Sequence, residues 1–314
     1  MIRLGLCCKF LNEPIRFRTS AAQSLLRLDR TAALQKLSSL CLHNAEALLH
    51  ALEYCTGHGI GDFRVNSQVL PLRTHPQAGY RVTDLPESGR IIAAFQQCGR
   101  FAQDHHLRLT FHPDQFILLS SPRPAVTRSS LAEIEYQAEV AEWVHADVIN
   151  IHAGGAYGDK RAALARLRRT LEKLSDRVRR RLTLENDERV YTPRELLPFC
   201  RSEQVPLVYD VHHHRCLPDG YSVARTTDLA MATWNREPLF HVSSPRNGWG
   251  GAQPGPHHDY INPRDFPREW LRGDFTVEVE AKAKELAVAR LARHLRAQRV
   301  AEKDGSVDRR QSQE

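Results

Sequence analysis

The chain has 314 residues, 41% hydrophobic and 26% charged, with a formal net charge of +7. That composition describes a globular chain with a sizeable core and excludes a disordered or fibrous one. No apolar run reaches roughly the 18 residues of a membrane span, so no membrane helix is expected. Met1 to Cys8 lacks the features of a secretory signal, so a cytoplasmic location is expected, nucleoid-associated if the source is bacterial. The cysteines, Cys7, Cys8, Cys41, Cys55, Cys98, Cys200 and Cys216, are scattered without a CxxC pair, which fits reduced thiols. The positive charge suits a polyanionic partner. Much of the arginine lies between Arg161 and Arg181, however, where a solvated helix face reads equally well.

The first strand runs from Ile2 to Cys8. The loop Lys9–Ser20 interleaves basic and aromatic residues, a pattern that suits a nucleic-acid groove or an ordinary surface loop. A helix follows from about Thr31 to His58, stopped by Gly57 and Gly59. Strand two covers about Asp62 to Ser67, and a loop carries Thr74-His75-Pro76. A helix near Ser88 to His106 leads into strand three, Arg108 to His112, and a helix from about Ser129 to His145 leads into strand four, Val148 to His152. The Gly154-to-Gly158 cluster lacks the lysine of a phosphate loop. Strand five ends at Glu185. Thr192, Pro193 and Glu195 then spell a capped helix start. Strand six is Leu207-Val-Tyr-Asp210, delivering three consecutive histidines. Strand seven, Leu239 to Ser243, opens into a long loop to Pro263. Strand eight ends at Glu280, and a last helix runs from about Lys282 to Arg296. Alternation in one pass, with no break in composition, predicts a single (β/α)8 TIM barrel over 1–300 and a charged, disordered tail over 301–314.

Strand after strand ends in His, Asp or Glu. Titratable groups at the rim of a core must be paired or hold a metal. His112, His152, Glu185, Asp210, His213, His241, His257 and Glu280 are too many for one tetrahedral ion. Two or three divalent ions bridged by carboxylates is the economical arrangement, chiefly zinc or manganese, at the C-terminal strand ends. Such clusters activate water for phosphoryl displacement. Asp210 and His213 can share a centre only if the chain turns between them. His212 and His214 read as a second layer or as packing, and Glu278 lies on the same side of its strand as Glu280.

The sequence resembles the ultraviolet damage endonucleases of UvdE type, relatives of endonuclease IV in the xylose-isomerase-like barrel group. The motifs are Thr74-His-Pro76, Phe111-His-Pro-Asp-Gln-Phe116, His152 to Lys160, Leu184-Glu-Asn-Asp-Glu-Arg189, Tyr209-Asp-Val-His-His-His214, His241-Val-Ser-Ser244, His257 to Ile261 and Val279 to Glu285. The resemblance implies a manganese-dependent repair nuclease acting as a monomer on duplex DNA, with zinc or magnesium as other candidate metals. It would nick 5′ to ultraviolet photoproducts, and to other distorting or abasic lesions, leaving a 3′-hydroxyl and a 5′-phosphate. It implies that the eight residues hold the metals with Glu185 bridging, and that His75, His214 and Lys282 are further active-site residues. It also implies that Gln115 and Phe116, with Lys9 and Tyr157, meet the damaged DNA. Some members have a tyrosine where this chain has Leu6, and a lysine where it has Leu239. The alternative is a sugar isomerase or epimerase on the same barrel. Phe116 could also fold back onto Ile117 and Leu118 as core.

Overall fold

The computed structural model describes residues 2–311, with side chains through residue 298. Among these residues the strands are β1 Arg3–Cys7, β2 Asp62–Val65, β3 Arg108–Phe111, β4 Val148–His152, β5 Leu182–Glu185, β6 Leu207–Asp210, β7 Leu239–Val242 and β8 Thr276–Val279. The helices are α1 Ala22–Leu26, α2 Arg30–Gly57, α3 Ser88–Asp104, α4 Pro124–Trp143, α5 Lys160–Leu171, α6 Asp176–Arg179, α7 Pro193–Glu203, α8 Val211–Cys216, α9 Val223–Met231 and α10 Lys284–Gln311. The strands pair in parallel in chain order, and β8 closes on β1. This is the expected (β/α)8 barrel. Over 301–311 of the tail expected at 301–314 the backbone continues α10, and 312–314 lie outside the described residues.

Local chemistry sets the boundaries. Asp29 caps α2 by accepting from the Ala32 amide, and Gly59 follows the helix at a φ of 67°. Thr192 and Glu195 form the expected capping box of α7, with Pro193 at its first position. The helix expected from about Ser129 starts at Pro124, earlier than the apolar spacing suggested, because proline suits the first turn.

Strand alternation sorts the side chains into two sets. The outward set includes Leu6, Phe63, Phe111, Tyr209, Phe240 and Val277, all buried against the helices. Trp270 joins it, packing on Tyr209, Phe240 and Phe275. The inward set is layered. Arg108, paired with Asp147, lies at the N-terminal end. Val148, Val208 and Leu239 form an apolar layer. Asp62, Arg64, Thr110, Asn150, Thr183 and Glu278 form a buried polar layer, and the His and Glu residues cap it. Leu6 is therefore aimed away from the barrel interior, and Leu239 lies inside it, one layer below His241.

Gly5 faces this interior, where an added Cβ would collide with the Asp62 carboxylate and stand 3.0 Å from Glu278 Cγ. Gly5→Ala is expected to cost about 1–3 kcal/mol by overpacking. Gly57→Ala, where a Cβ meets nothing within 4 Å, serves as the control. Urea midpoints measure both, and equal midpoints would refute the tight interior.

Candidate metal centre

Glu185, at the end of β5, is 1% exposed and has four histidines around it. Its Oε2 is 2.9 Å from His112 Nε2 and 4.0 Å from His152 Nε2, and it accepts from Asn150 Nδ2 at 2.6 Å. Its Oε1 is 3.1 Å from His241 Nδ1 and 3.3 Å from His213 Nδ1. Burial alone would push this carboxyl up, but His241, His152, His112 and His213 hold it well below the usual range. Burial lowers His112, whereas His213 is held well above the ordinary histidine value by Asp210, Glu185 and Glu280 despite its burial.

Asp210 ends β6 and caps α8, accepting from the His213 amide at 2.7 Å. The chain turns there, as the spacing required, and His213 swings back over the same centre as Asp210. Glu280, just beyond β8, has Oε1 3.5 Å from His241 Nδ1 and Oε2 3.7 Å from His257 Nδ1. His257 is far along the loop after β7. An antiparallel bridge between Pro245 and His257, with the His258 amide donating to the Ser244 carbonyl, folds it back.

Two buried atoms here, Asp210 Oδ2 and His152 Nδ1, have no hydrogen-bond partner among the described residues. Unpaired buried polar atoms are costly, and a metal ion would satisfy them. The ligand atoms of His112, His152 and Glu185 lie within 4.8 Å of one another. So do those of His112, His241 and Glu280, and those of Glu185, Asp210 and His213. These groups could hold divalent ions, and their imidazole and carboxylate donors suit zinc or manganese. Cys7, buried at the end of β1, forms a similar group with Glu278 and Glu280.

A second layer lies beneath, part of which the strand-end motifs do not reveal. Glu278 accepts from Thr110 Oγ1 at 2.5 Å and from Arg64 Nε at 2.6 Å, and its Oε2 is 3.1 Å from His241 Nε2. Arg64 also reaches Glu280 at 2.7 Å. Arg64 lies 3.0 Å from His241 Nε2, but a guanidinium cannot accept a proton. With Nε2 protonated, Glu278 is its acceptor, and Nδ1 faces the cluster. Burial opposes charge on His241, yet Glu185 and Glu280 bring its pKa up to about 10. The signal for Arg64 was present in Asp62-Phe-Arg64, polar residues alternating with an apolar one in a strand.

The remaining candidates fall elsewhere. His214 is not brought to the cluster. One helical step beyond His213, it accepts from the Tyr209 hydroxyl and donates to Asp219 at 2.9 Å, in a buried pair. His75 stands on the loop after β2. Its Nδ1 accepts from the Gln77 and Ala78 amides, which leaves Nε2 as the ring donor. Phe116 is 72% exposed, so it does not fold back as core. It borders a cavity of about 380 Å³ with His75 and Asp114. Gln115 beside it is exposed, as are Lys9 and Tyr157, the latter with the Arg166 guanidinium 5.5 Å from its ring. Lys282 lines a cavity of about 790 Å³ with Arg64, Arg189, His257, Glu280 and Lys284.

Glu278 is buried, but Arg64 and His241 hold its carboxyl down at about 2. A depressed carboxylate contributes stability above its unfolded value, here near 4.5, and loses it as pH falls through the folded value. Glu278→Gln is therefore expected to cost most near pH 6, and the gap to the parent should narrow steadily towards pH 2. Chemical denaturation across that range reads the gap, and a gap independent of pH would contradict the charged pairing.

A family profile described as UV-endonuclease UvdE matches residues 2–307. The UV DNA damage endonuclease of Bacillus mycoides (strain KBAB4) is 31% identical over 286 residues, covering 87% of each chain. The crystal structure of SacUVDE is 26% identical with a TM-score of 0.84, covering 95% of this chain and 99% of that one. Endonuclease IV from Thermus thermophilus, 16% identical with a TM-score of 0.61 over 94% and 98% of the two chains, shares the fold. Built on that barrel and matched over nearly its whole length, the chain belongs to the UvdE family of UV-endonucleases.

Proposed function

We propose that this protein is a metal-dependent DNA repair endonuclease that hydrolyses the phosphodiester 5′ to an ultraviolet photoproduct, leaving a 3′-hydroxyl and a 5′-phosphate. The observation that carries the reading is Glu185, buried among four histidines beside an Asp210 Oδ2 that has no hydrogen-bond partner among the described residues, in a chain of this family. His112, His152, Glu185, Asp210, His213, His241, His257 and Glu280 would hold two or three divalent ions, manganese foremost. Bound there, the ions would supply an activated water and neutralise charge on the phosphate. Membership of an endonuclease family weighs against the sugar-isomerase alternative.

The chain's own residues supply the rest. Glu185 faces both sides of the cluster through its two oxygens, the arrangement that a bridging ligand needs. Glu278 and Thr110 fix the ring of His241 from below. Arg189, Lys282 and Lys284 line the open cavity over the centre and suit a DNA backbone. Phe116 and Gln115, on the loop stiffened by Pro113, would enter the duplex at the lesion, where pairing is already weak. The substrate is thus lesion-bearing duplex DNA, bound by a monomer and recognised by deformability rather than by base sequence.

The deciding experiment uses an end-labelled duplex carrying one pyrimidine dimer. A single nick 5′ to the dimer with manganese, abolished by a chelator, is the expected result. Glu185→Gln should lose two or three divalent ions by elemental analysis and at least about a thousandfold in nicking, the scale of losing a main source of charge stabilisation. Near-normal nicking by that variant would remove the bridging role. The Gln115→Ala, Phe116→Ala double variant should keep its metals and melting temperature but lose the preference for damaged duplex. An unchanged preference would remove the wedge.

A further inference from the structure

Phe116 is not matched by a second aromatic in β1, where Leu6 is buried. The structure carries one elsewhere. Trp249 sits at the tip of the loop between β7 and β8, in Asn247-Gly-Trp-Gly-Gly251, and is 39% exposed. In a closed eight-strand barrel β7 is diametrically opposite β3, so Trp249 and Phe116 are carried on loops that leave opposite sides of the same face.

The exposed indole is held in place. Its Nε1–H donates to Asp265 Oδ1 at 2.8 Å, and Asp265 Oδ2 accepts from Ser244 Oγ at 2.5 Å. Arg215 donates to the Asp265 carbonyl at 2.6 Å and places its guanidinium 5.9 Å from the indole centre. The His212 ring packs 5.3 Å away, and His212 in turn meets His257 at 5.2 Å. Trp249 is thus one ring removed from a proposed metal ligand. It walls a cavity of about 360 Å³ that also contains Arg246, Tyr260, Asn262 and Arg290. The Arg290 guanidinium stands 4.8 Å from the Tyr260 ring centre. His258 and Asp265 also line it, the Asp265 carboxylate engaged by the indole and Ser244. Two aromatic rings, two guanidiniums and an amide around a space this size match the chemistry of a nucleotide: a face for a base, cations for a phosphate, and an amide for a base edge.

We propose that Trp249 is a further DNA-contacting aromatic, a preset platform on which one base of the bound strand stacks while Arg246 and Arg290 hold its phosphate. This rests on the nuclease reading and adds a specificity determinant to it. A rigid aromatic loses little freedom on binding, which is why fixing the indole through Asp265 favours contact. Gripped from opposite sides, a duplex would be held in register over the centre while Phe116 enters it.

The test measures binding of a dimer-bearing duplex by anisotropy, together with tryptophan emission, for the parent, Trp249→Ala, Trp249→Phe and Trp249→Leu. Stacking should quench the parent's emission on DNA addition, and this quench should vanish in Trp249→Phe. Trp249→Ala and Trp249→Leu should weaken binding roughly ten- to a hundredfold, while Trp249→Phe keeps most of the affinity. Metal content should not change. Trp249→Leu keeps apolar bulk on the loop, so it decides even if the alanine variant melts early. Parental affinity in Trp249→Leu, or an unquenched parent that still binds and nicks, overturns the platform and leaves the nuclease standing. A parent that neither binds nor nicks damaged duplex overturns both.

Discussion

Everything at the open end of this barrel depends on one buried negative charge. Glu185 is removed from water, and a carboxylate so placed is tolerated only with compensation. Four imidazoles and the Asn150 amide provide it, the imidazoles each from a different strand end or the turn after one. The constraint runs in both directions. The histidines hold the Glu185 pKa down, and Glu185, with Asp210 and Glu280, raises those of His213 and His241 against their burial. The polar layer below repeats the pattern, with Arg64 between Glu278 and Glu280. Asp62, in the same layer, stands outside the compensation. Its oxygens have no hydrogen-bond partner among the described residues, and burial and the nearby Glu278 push its pKa well up against the pull of Arg108 and Arg64.

Much of this was legible in the sequence because the barrel writes it in short range. Strand after strand is an apolar run with a titratable residue at its C-terminal end, and parallel closure brings those ends to one face. The helix caps at Asp29 and Thr192 are local chemistry of the same short range. What escaped was chemistry set by long-range pairing. Arg64 looks like any charged residue in a short strand until β8 brings Glu278 and Glu280 to it across Gly5. Among the three consecutive histidines the spacing singles out His213 only on condition that the chain turns after Asp210. The turn at Asp210 decides, sending His213 to the centre and His214 to Tyr209 and Asp219. His257 could be proposed from its motif, but its return depends on a bridge that no spacing rule encodes.

The two positions where relatives can differ also acquire a physical meaning. Leu239 completes an apolar layer with Val148 and Val208, so a charged group there would break that layer. Leu6 lies on the helix-facing side of β1 and contributes to the core, not to a surface that DNA could reach.

The last strand closes the barrel and also finishes its chemistry. Glu278 and Glu280 arrive on or just after β8, and they reach Arg64 and His241 only once β8 has paired with β1. During synthesis that strand emerges after the seven others. A polypeptide released early, by a truncated message or a stalled ribosome, lacks two of the carboxylates and the seam that seats them. Such a fragment keeps Glu185 and its histidines but not the Arg64, Glu278 and Glu280 support around His241, so the open end of the barrel is finished only by its closure.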